Sequence, residues 1–311
     1  MSGFTIKHPG LLTLIQDSGR FGAHNLGLTN GGPLDALAFD WANRLLGNDN
    51  NATALEISFG GLSLESEIDT AIVVTGAEMP IKINDETMPQ WQTHPVKKGD
   101  IIELGYAISG TRAYLAVAGG FSIPPSFGSS ATVVREKIGG LNGDKLQAGD
   151  HLPCDTRENS QHYRLANVDR PKYNDGAILR VVLGYQQSAF DPVEHRRFFG
   201  SQYQVTDRSD RMGFRLEGEA IKSSIVGMLS EGICHGAIQI PADGQPIVLM
   251  NDRQTIGGYP KIGSVIPLDT AKLAQLSPGA TINFESISPE YAHNLHWLAK
   301  SRFERTQPFR C

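Results

Sequence analysis

Residues 231–261 concentrate more potential chemistry than any other part of the chain. An apolar run over 247–250 reads as a buried strand that delivers Asp252, Arg253, Gln254 and Thr255 into a Gly257-Gly258 turn, followed by Tyr259, Pro260 and Lys261. A carboxylate, a guanidinium, an amide, a hydroxyl and an ammonium so close together suit an oxyanion-bearing small molecule. The glycines let backbone approach such a ligand, and Pro260 stiffens the exit. Taken alone, the pattern fits an ordinary polar hairpin tip equally well. Lys261 stands out, because an ammonium held after a stiff turn can stabilise charge developing on a carbonyl, carboxylate or phosphoryl oxygen. As an exposed lysine it is expected to contribute within about 0.5 kcal/mol to stability, so Lys261→Ala should spare folding.

A second cluster lies near the start, where Gln16-Asp17-Ser18-Gly19-Arg20 precedes Asn30-Gly31-Gly32-Pro33-Leu34-Asp35. Backbone N–H groups left open at Asn30, Gly31 and Gly32 before a helix make a natural anion site. Asp35 in the first turn either contacts a ligand or complements the helix dipole, which stabilises by about 0.3–1 kcal/mol without any function. Two further charged stretches have plainer readings. Residues 128–143, with Gly139-Gly140, fit a long solvated hairpin better than a pocket rim, and the alternating charges of 208–218 fit a solvated strand face. The histidines show no ligand-spaced pair, so no metal site is expected, and His235 beside Cys234 reads as a lining or core residue. Neither a Walker loop nor a Gly-x-Ser-x-Gly elbow is present.

These residues must be positioned by a β-rich framework. With 34 glycines, the chain breaks into short β-branched or alternating runs bounded by Gly, Pro, Asn and Asp. Strands are expected at 71–75, 81–83, 101–104, 114–117, 179–183, 237–240 and 247–250. Three helices are expected. The clearest starts at Pro33 with Leu34, Leu37, Ala38, Trp41 and Leu45 on one face and ends before Gly47. Another starts at the N-cap Asp191 and stops by Gly200, and an amphipathic one near the C-terminus carries Tyr291, Leu295 and Leu298. Lys98-Gly99-Asp100, Ala148-Gly149-Asp150 and Pro278-Gly279-Ala280 each put a glycine turn before a strand, an echo between the halves. The 311 residues suit two domains, 1–170 and 171–311, with the boundary in a polar stretch between Cys154 and Asp175.

Composition excludes several functions. Lys+Arg 28 against Asp+Glu 33 gives a net charge of -5 without a basic block, so no nucleic-acid partner is expected. No apolar run spans a membrane and no signal-peptide pattern opens the chain, so a cytoplasmic location is expected. The three cysteines, Cys154, Cys234 and Cys311, are far apart and read as reduced structural thiols.

Taken together these stretches resemble the allophanate hydrolase subunit 2 family, which includes the C subunit of bacterial 5-oxoprolinase, Kip-type antagonists of a sporulation kinase inhibitor, and part of the carboxyltransferase region of urea carboxylase. The resemblance rests on 16–20, Gly31 to Asp35 with Asn43, Glu56, 75–77, Gly139-Gly140, 210–213 with 216–218, Ser230-Glu231-Gly232, 236–239, 243–246 and Asp252 to Thr255 with Gly257 to Lys261, in the expected order over nearly the whole chain. Two positions depart from it. Ser130 stands where the family usually has an Arg, and Cys234-His235 replaces a common Val-Pro.

The resemblance implies a mainly β fold of two cyclophilin-like β-barrel domains with a few short helices. It implies partnership with a subunit 1 type protein (the B subunit) and a lactam-opening protein (the A subunit), which together cleave the cyclic amide 5-oxo-L-proline to L-glutamate with ATP used by the complex. On that reading Lys261, Asp35 and Asp252 are the catalytic candidates, and Arg20, Asn30, Gly31, Gly32, Arg253, Gln254, Thr255, Gly257, Gly258 and Tyr259 bind substrate or anion, the two groups converging on one pocket. One alternative is a biotin-dependent carboxyltransferase component; lacking a Met-Lys-Met signal, this chain would receive biotin only on another protein. The other is a regulatory protein that binds a kinase inhibitor.

Overall fold

The computed structural model describes residues 2–156, 162–225 and 227–311, so part of the polar stretch read between Cys154 and Asp175 lies outside the described residues. The fold is mainly β, with four α-helices among the described residues: α1 (Ala36–Leu45), α2 (Pro192–Gly200), α3 (Pro267–Ala274) and α4 (Pro289–Arg305). It divides into two compact units, one of 1–22, 30–173 and 306–311, the other of 23–29 and 174–305. All the strands expected from the sequence form, two of them ending one residue early at Gln239 and Leu249.

The first unit holds a six-stranded sheet, ordered His151–Pro153, Gly3–Pro9, Leu62–Ser66, Ile101–Leu104, Ile81–Ile83, Glu86–Met88, and a five-stranded one, ordered Leu12–Gln16, Ala54–Ser58, Ser109–Val117, Thr70–Glu78, Thr93–Val96. Phe4, Ile6, Leu64 and Ile102 of the first and Ile15, Ile57, Ile72 and Leu115 of the second share one core cluster. Because strand side chains alternate in direction, the other set from the five-stranded sheet points the opposite way. There α1 covers it: Phe39 meets Tyr114 edge-on at 6.1 Å, and Thr75 Oγ1 donates to the Ala38 carbonyl at 2.6 Å. Both faces being covered, Thr70–Glu78 is buried at every residue but the last, and its near-continuous apolar run follows.

In the second unit seven strands close into a barrel: Gly176–Leu183, Lys261–Val265, Ala237–Gln239, Ile247–Leu249, Gly213–Glu217, Gln202–Val205 and Thr281–Ile287. Parallel pairing of Gly176 with Thr281 through Val182 with Ile287 closes it. α2 starts where expected, the Asp191 carboxylate accepting from Val193 and Glu194 N–H, and it packs Phe198 on Phe284 at 4.4 Å. The glycine echo is also structural: Gly99, Gly149 and Gly279 all sit at left-handed φ, 92°, 89° and 86°, immediately before strands.

The structure shifts the start of one expected helix, forms the C-terminal one, and adds a helix that was not expected. α1 begins at Ala36, not Pro33, because Asp35 is the N-cap and accepts from Ala38 N–H; Leu37 faces solvent. α4 forms, yet none of its residues is buried, and Tyr291 and Leu298 are 50% and 67% exposed, so its apolar pattern does not mark a core face. α3 was not expected, although Pro267 at its first turn and Asp269 behind it are a start signal. Asp269 is fully buried there and takes the Arg180 guanidinium at 2.7 Å through both of its oxygens.

Candidate functional site

In the first unit, Leu14, Glu56, Tyr114 and Thr75 stand opposite one another on adjacent strands of the five-stranded sheet. This row lies beneath α1, and it takes N–H groups at the start of that helix. Glu56 Oε2 accepts from Leu34 N–H at 2.9 Å and from the Tyr114 hydroxyl at 2.7 Å, and that hydroxyl accepts from Asp35 N–H at 2.8 Å. Gly32 N–H donates to Gln16 Oε1 at 2.9 Å. The anion at this helix start is therefore the chain's own Glu56 carboxylate, which is 1% exposed. Burial pushes the Tyr114 hydroxyl well above the ordinary tyrosine range, so it acts here as a neutral bridge. Glu56→Ala would strand a hydroxyl and an N–H in a dry interior; we expect a loss of about 2–3 kcal/mol, read by urea denaturation of the isolated chain.

The other first-unit candidates are also internally engaged. Asp35 Oδ1 caps α1 through Ala38 N–H at 3.1 Å, and Oδ2 accepts from the Tyr173 hydroxyl at 2.8 Å. Asn30 Nδ2 donates to the Arg20 carbonyl at 2.8 Å. Arg20 is 0% exposed and ties down a loop by donating to the carbonyls of Ser126 at 3.0 Å, Ala131 at 3.1 Å and Ser129 at 3.4 Å. In this structure the side chains of Arg20, Asn30 and Asp35 and the Gly32 N–H bond within the chain and hold the fold around the start of α1. Ser130, at the departing position, is buried against Thr53 with their hydroxyls 2.8 Å apart, and its N–H donates to the Asp17 carboxylate at 2.7 Å. One titratable group escaped the sequence reading. Burial, and then the Asp35 charge, push the Asp40 carboxyl up to about 7; no motif signals it.

In the second unit, Ile247–Leu249 leads into Asp252 as expected. Asp252 and Arg211 are 5% and 6% exposed and form a forked pair, Nε to Oδ2 at 2.9 Å and Nη2 to Oδ1 at 3.0 Å. That geometry is a cross-tie between the loops, and it turns Arg211 inward while Arg215 and Glu217 keep the solvated face expected of 208–218. Arg253 is buried too, donating to the carbonyls of Ile233 and Met250 at 3.3 Å. Gln254 and Thr255 are half-buried, and the Thr255 carbonyl accepts from Ile233 N–H at 3.0 Å. Tyr259 is 47% exposed.

Lys261 opens a barrel strand and is 7% exposed. This corrects the expectation of an exposed lysine. Its ammonium contacts Glu231 Oε1. Gln186 clamps the pair: its Oε1 accepts from Lys261 N–H at 2.8 Å and its Nε2 donates to Glu231 Oε1 at 2.8 Å. The Tyr185 hydroxyl adds a third contact, and Lys261 first, then Tyr185, hold the Glu231 carboxyl below the usual range. Glu231 sits on the two-residue strand Glu231–Gly232, paired only with Ile256–Gly257. Gly257 is required there, since a Cβ would meet Ile233 Cδ1 at 2.4 Å and Gln239 Nε2 at 2.7 Å. Gly258 lies against the Met228 carbonyl, where a Cβ would come within 3.2 Å. Beside this cluster the exposed thiol of Cys234 lies 3.1 Å from Ser264 Oγ, so of the three cysteines only Cys154 is buried. The chain thus builds an ammonium–carboxylate–amide–phenol cluster at the rim of a closed barrel.

A family model described as carboxyltransferase domain, subdomain A and B, matches residues 26–286. The chain belongs to that carboxyltransferase-domain family. Within it, the chain is 39% identical to the 5-oxoprolinase C subunit of Escherichia coli over 92% of both chains, and 36% identical to that of Haemophilus influenzae over 90% of both. The crystal structure of the Kluyveromyces lactis urea amidolyase superposes with a TM-score of 0.91 at 28% identity. That match covers 98% of this chain but 20% of that one, so this carboxyltransferase domain corresponds to about a fifth of the amidolyase. Of the motif residues in this domain, Glu231 and Lys261 meet in the described structure, whereas Gln186 and Tyr185, which complete the cluster, lie in no motif that the sequence made visible.

His235 supplies a pH dependence. Burial, and then the Arg253 charge, lower its imidazole to about 4 from an ordinary 6.5, and its Nε2 has no hydrogen-bond partner. The neutral ring is the folded form. Stability is therefore complete above pH 6.5 and is lost as pH falls toward 4, because the unfolded chain takes up the proton first. We expect the loss to be about 2 kcal/mol after discounting for partial exposure. Denaturant titrations of wild type and His235→Asn between those pH values check it, the variant lacking that part of the slope.

Proposed function

We propose that this chain is the C-type component of a multi-subunit, ATP-dependent 5-oxoprolinase, inactive by itself and working with a subunit 1 type partner and a lactam-opening partner. Identity over nine-tenths of the chain to proteins named as the C subunit of 5-oxoprolinase carries the reading. The Lys261–Glu231–Gln186–Tyr185 cluster gives it chemistry. A lactam is resonance-stabilised, and moving the terminal phosphoryl group of ATP to its carbonyl oxygen activates the carbon: one water adds to it as the ring C–N bond breaks and the nitrogen leaves protonated as the amine, and a second water releases phosphate from the resulting acyl phosphate to give the carboxylate. Donors fixed around a developing oxyanion favour such a step, and Lys261 and the Gln186 amide are held in place for it. At the start of α1 the N–H groups of Gly32, Leu34 and Asp35 are already taken by Gln16, Glu56 and Tyr114, which leaves fewer donors there for a triphosphate. We therefore assign the ATP site to a partner protein of the complex.

The expected result is 5-oxoproline-dependent ATP hydrolysis only when all partner proteins are present, with co-elution of this chain and the subunit 1 type protein on size exclusion at micromolar concentration. The amidolyase likeness supports a second reading, a carboxyltransferase component supplied with biotin by another protein. A reconstituted set that ignores 5-oxoproline but consumes bicarbonate and ATP with a biotinylated partner would replace the first reading by the second.

A further inference from the structure

The donors around Glu231 differ from Glu231 itself in how firmly they are held. Lys261 begins a strand that pairs on both sides within the closed barrel. Gln186 is 9% exposed and is fixed to that strand by accepting Lys261 N–H. Glu231, by contrast, rides on a ribbon of two residues against two, outside the barrel, and its side chain is 32% exposed. Such a short ribbon has little stability of its own and opens at low cost. Beneath it lies Gln239, 1% exposed, opposite Lys261 in the barrel register, with its Nε2 donor unpartnered. The same Nε2 is what a Cβ on Gly257 of the ribbon would strike. A buried donor left unsatisfied costs free energy unless some state of the protein uses it.

Two fixed donors, Lys261 Nζ and Gln186 Nε2, together with the hydroxyl of the exposed Tyr185, thus converge on one carboxylate carried by a movable element, over a further donor that waits unpaired. We propose that these donors form a binding site for the carboxylate of a small-molecule ligand, and that Glu231 fills the site as an internal stand-in which the ligand displaces. Lifting of the Glu231–Gly232 and Ile256–Gly257 ribbon then frees Gln239 to bind the incoming molecule. The choice of 5-oxoproline as ligand rests on the 5-oxoprolinase reading, since that lactam carries a carboxylate; the site itself does not. A stand-in lowers apparent affinity by the fraction of molecules in which it is displaced. If Glu231 occupies the site in about nine molecules of ten, removing its charge tightens binding about tenfold.

The test is isothermal titration of the full chain, wild type, Glu231→Gln and Glu231→Ala, with 5-oxo-L-proline, with 2-pyrrolidinone, which is the same lactam lacking the carboxylate, and with acetate. Both variants should bind 5-oxo-L-proline and acetate about tenfold more tightly than wild type, with 2-pyrrolidinone unchanged. Adding Lys261→Met to Glu231→Gln should abolish the gain. Equal or weaker carboxylate binding in both Glu231 variants, with circular dichroism showing a retained fold, overturns the inference, as does an equal gain for 2-pyrrolidinone. Tighter acetate binding alongside a reconstituted complex that ignores 5-oxoproline would keep the site and remove the 5-oxoprolinase reading.

Discussion

Lys261→Met in the reconstituted complex is expected to lower turnover roughly 100-fold or more, the scale of losing one preorganised donor to a developing oxyanion. The methionine keeps the stem and removes only the charge. Its ammonium contacts Glu231 Oε1, and its backbone N–H is fixed by Gln186. The effect on folding should be smaller: Glu231 is about a third exposed and can turn to water, leaving a loss of roughly 1–2 kcal/mol. Turnover and thermal midpoint measured on the same preparation separate the two roles. Wild-type turnover would remove Lys261 from the site, and a collapse in melting temperature would make its role structural.

Asp252→Ala should do the reverse. It leaves the buried Arg211 guanidinium without its forked partner, and breaking such a pair by removing one member costs about 3–5 kcal/mol. At one unit of this size the thermal midpoint should fall on the order of 10 °C. Replacing both residues, Arg211→Met with Asp252→Leu, should recover most of the loss, because an apolar pair of similar volume leaves no charge stranded. A double cycle in which the losses simply add would show that the pair is not coupled. A variant that folds like wild type but does not turn over would place Asp252 in the catalytic set.

Much of this was legible in the sequence because it is local. The Asp191 cap followed by Glu194 fixes α2 within four residues, and the glycines at 99, 149 and 279 announce strands that begin two residues later. What meets the start of α1 was not legible, because Glu56, which takes the Leu34 N–H, comes from another strand, and only the sheet register sets it opposite Tyr114 under α1. Arg211 misled in the same way: alternating charges fit a solvated face until Asp252, 41 positions on, turns one of them inward. Lys261 and Glu231 lay in visible motifs, but Gln186, 75 positions before Lys261, could be joined to them only through barrel closure. Where a side chain's partner is distant in sequence, its residue type constrains the chemistry and not the role.

The most direct test of the account is the coupled assay of the reconstituted complex, following L-glutamate released and ATP consumed, with wild-type chain, with Lys261→Met and with this chain omitted. The account predicts stoichiometric glutamate and ADP formation with the wild-type chain, a rate lowered roughly 100-fold or more by Lys261→Met, and none without this chain. Full 5-oxoproline turnover by the set lacking this chain, or an unaltered rate with Lys261→Met, would contradict it.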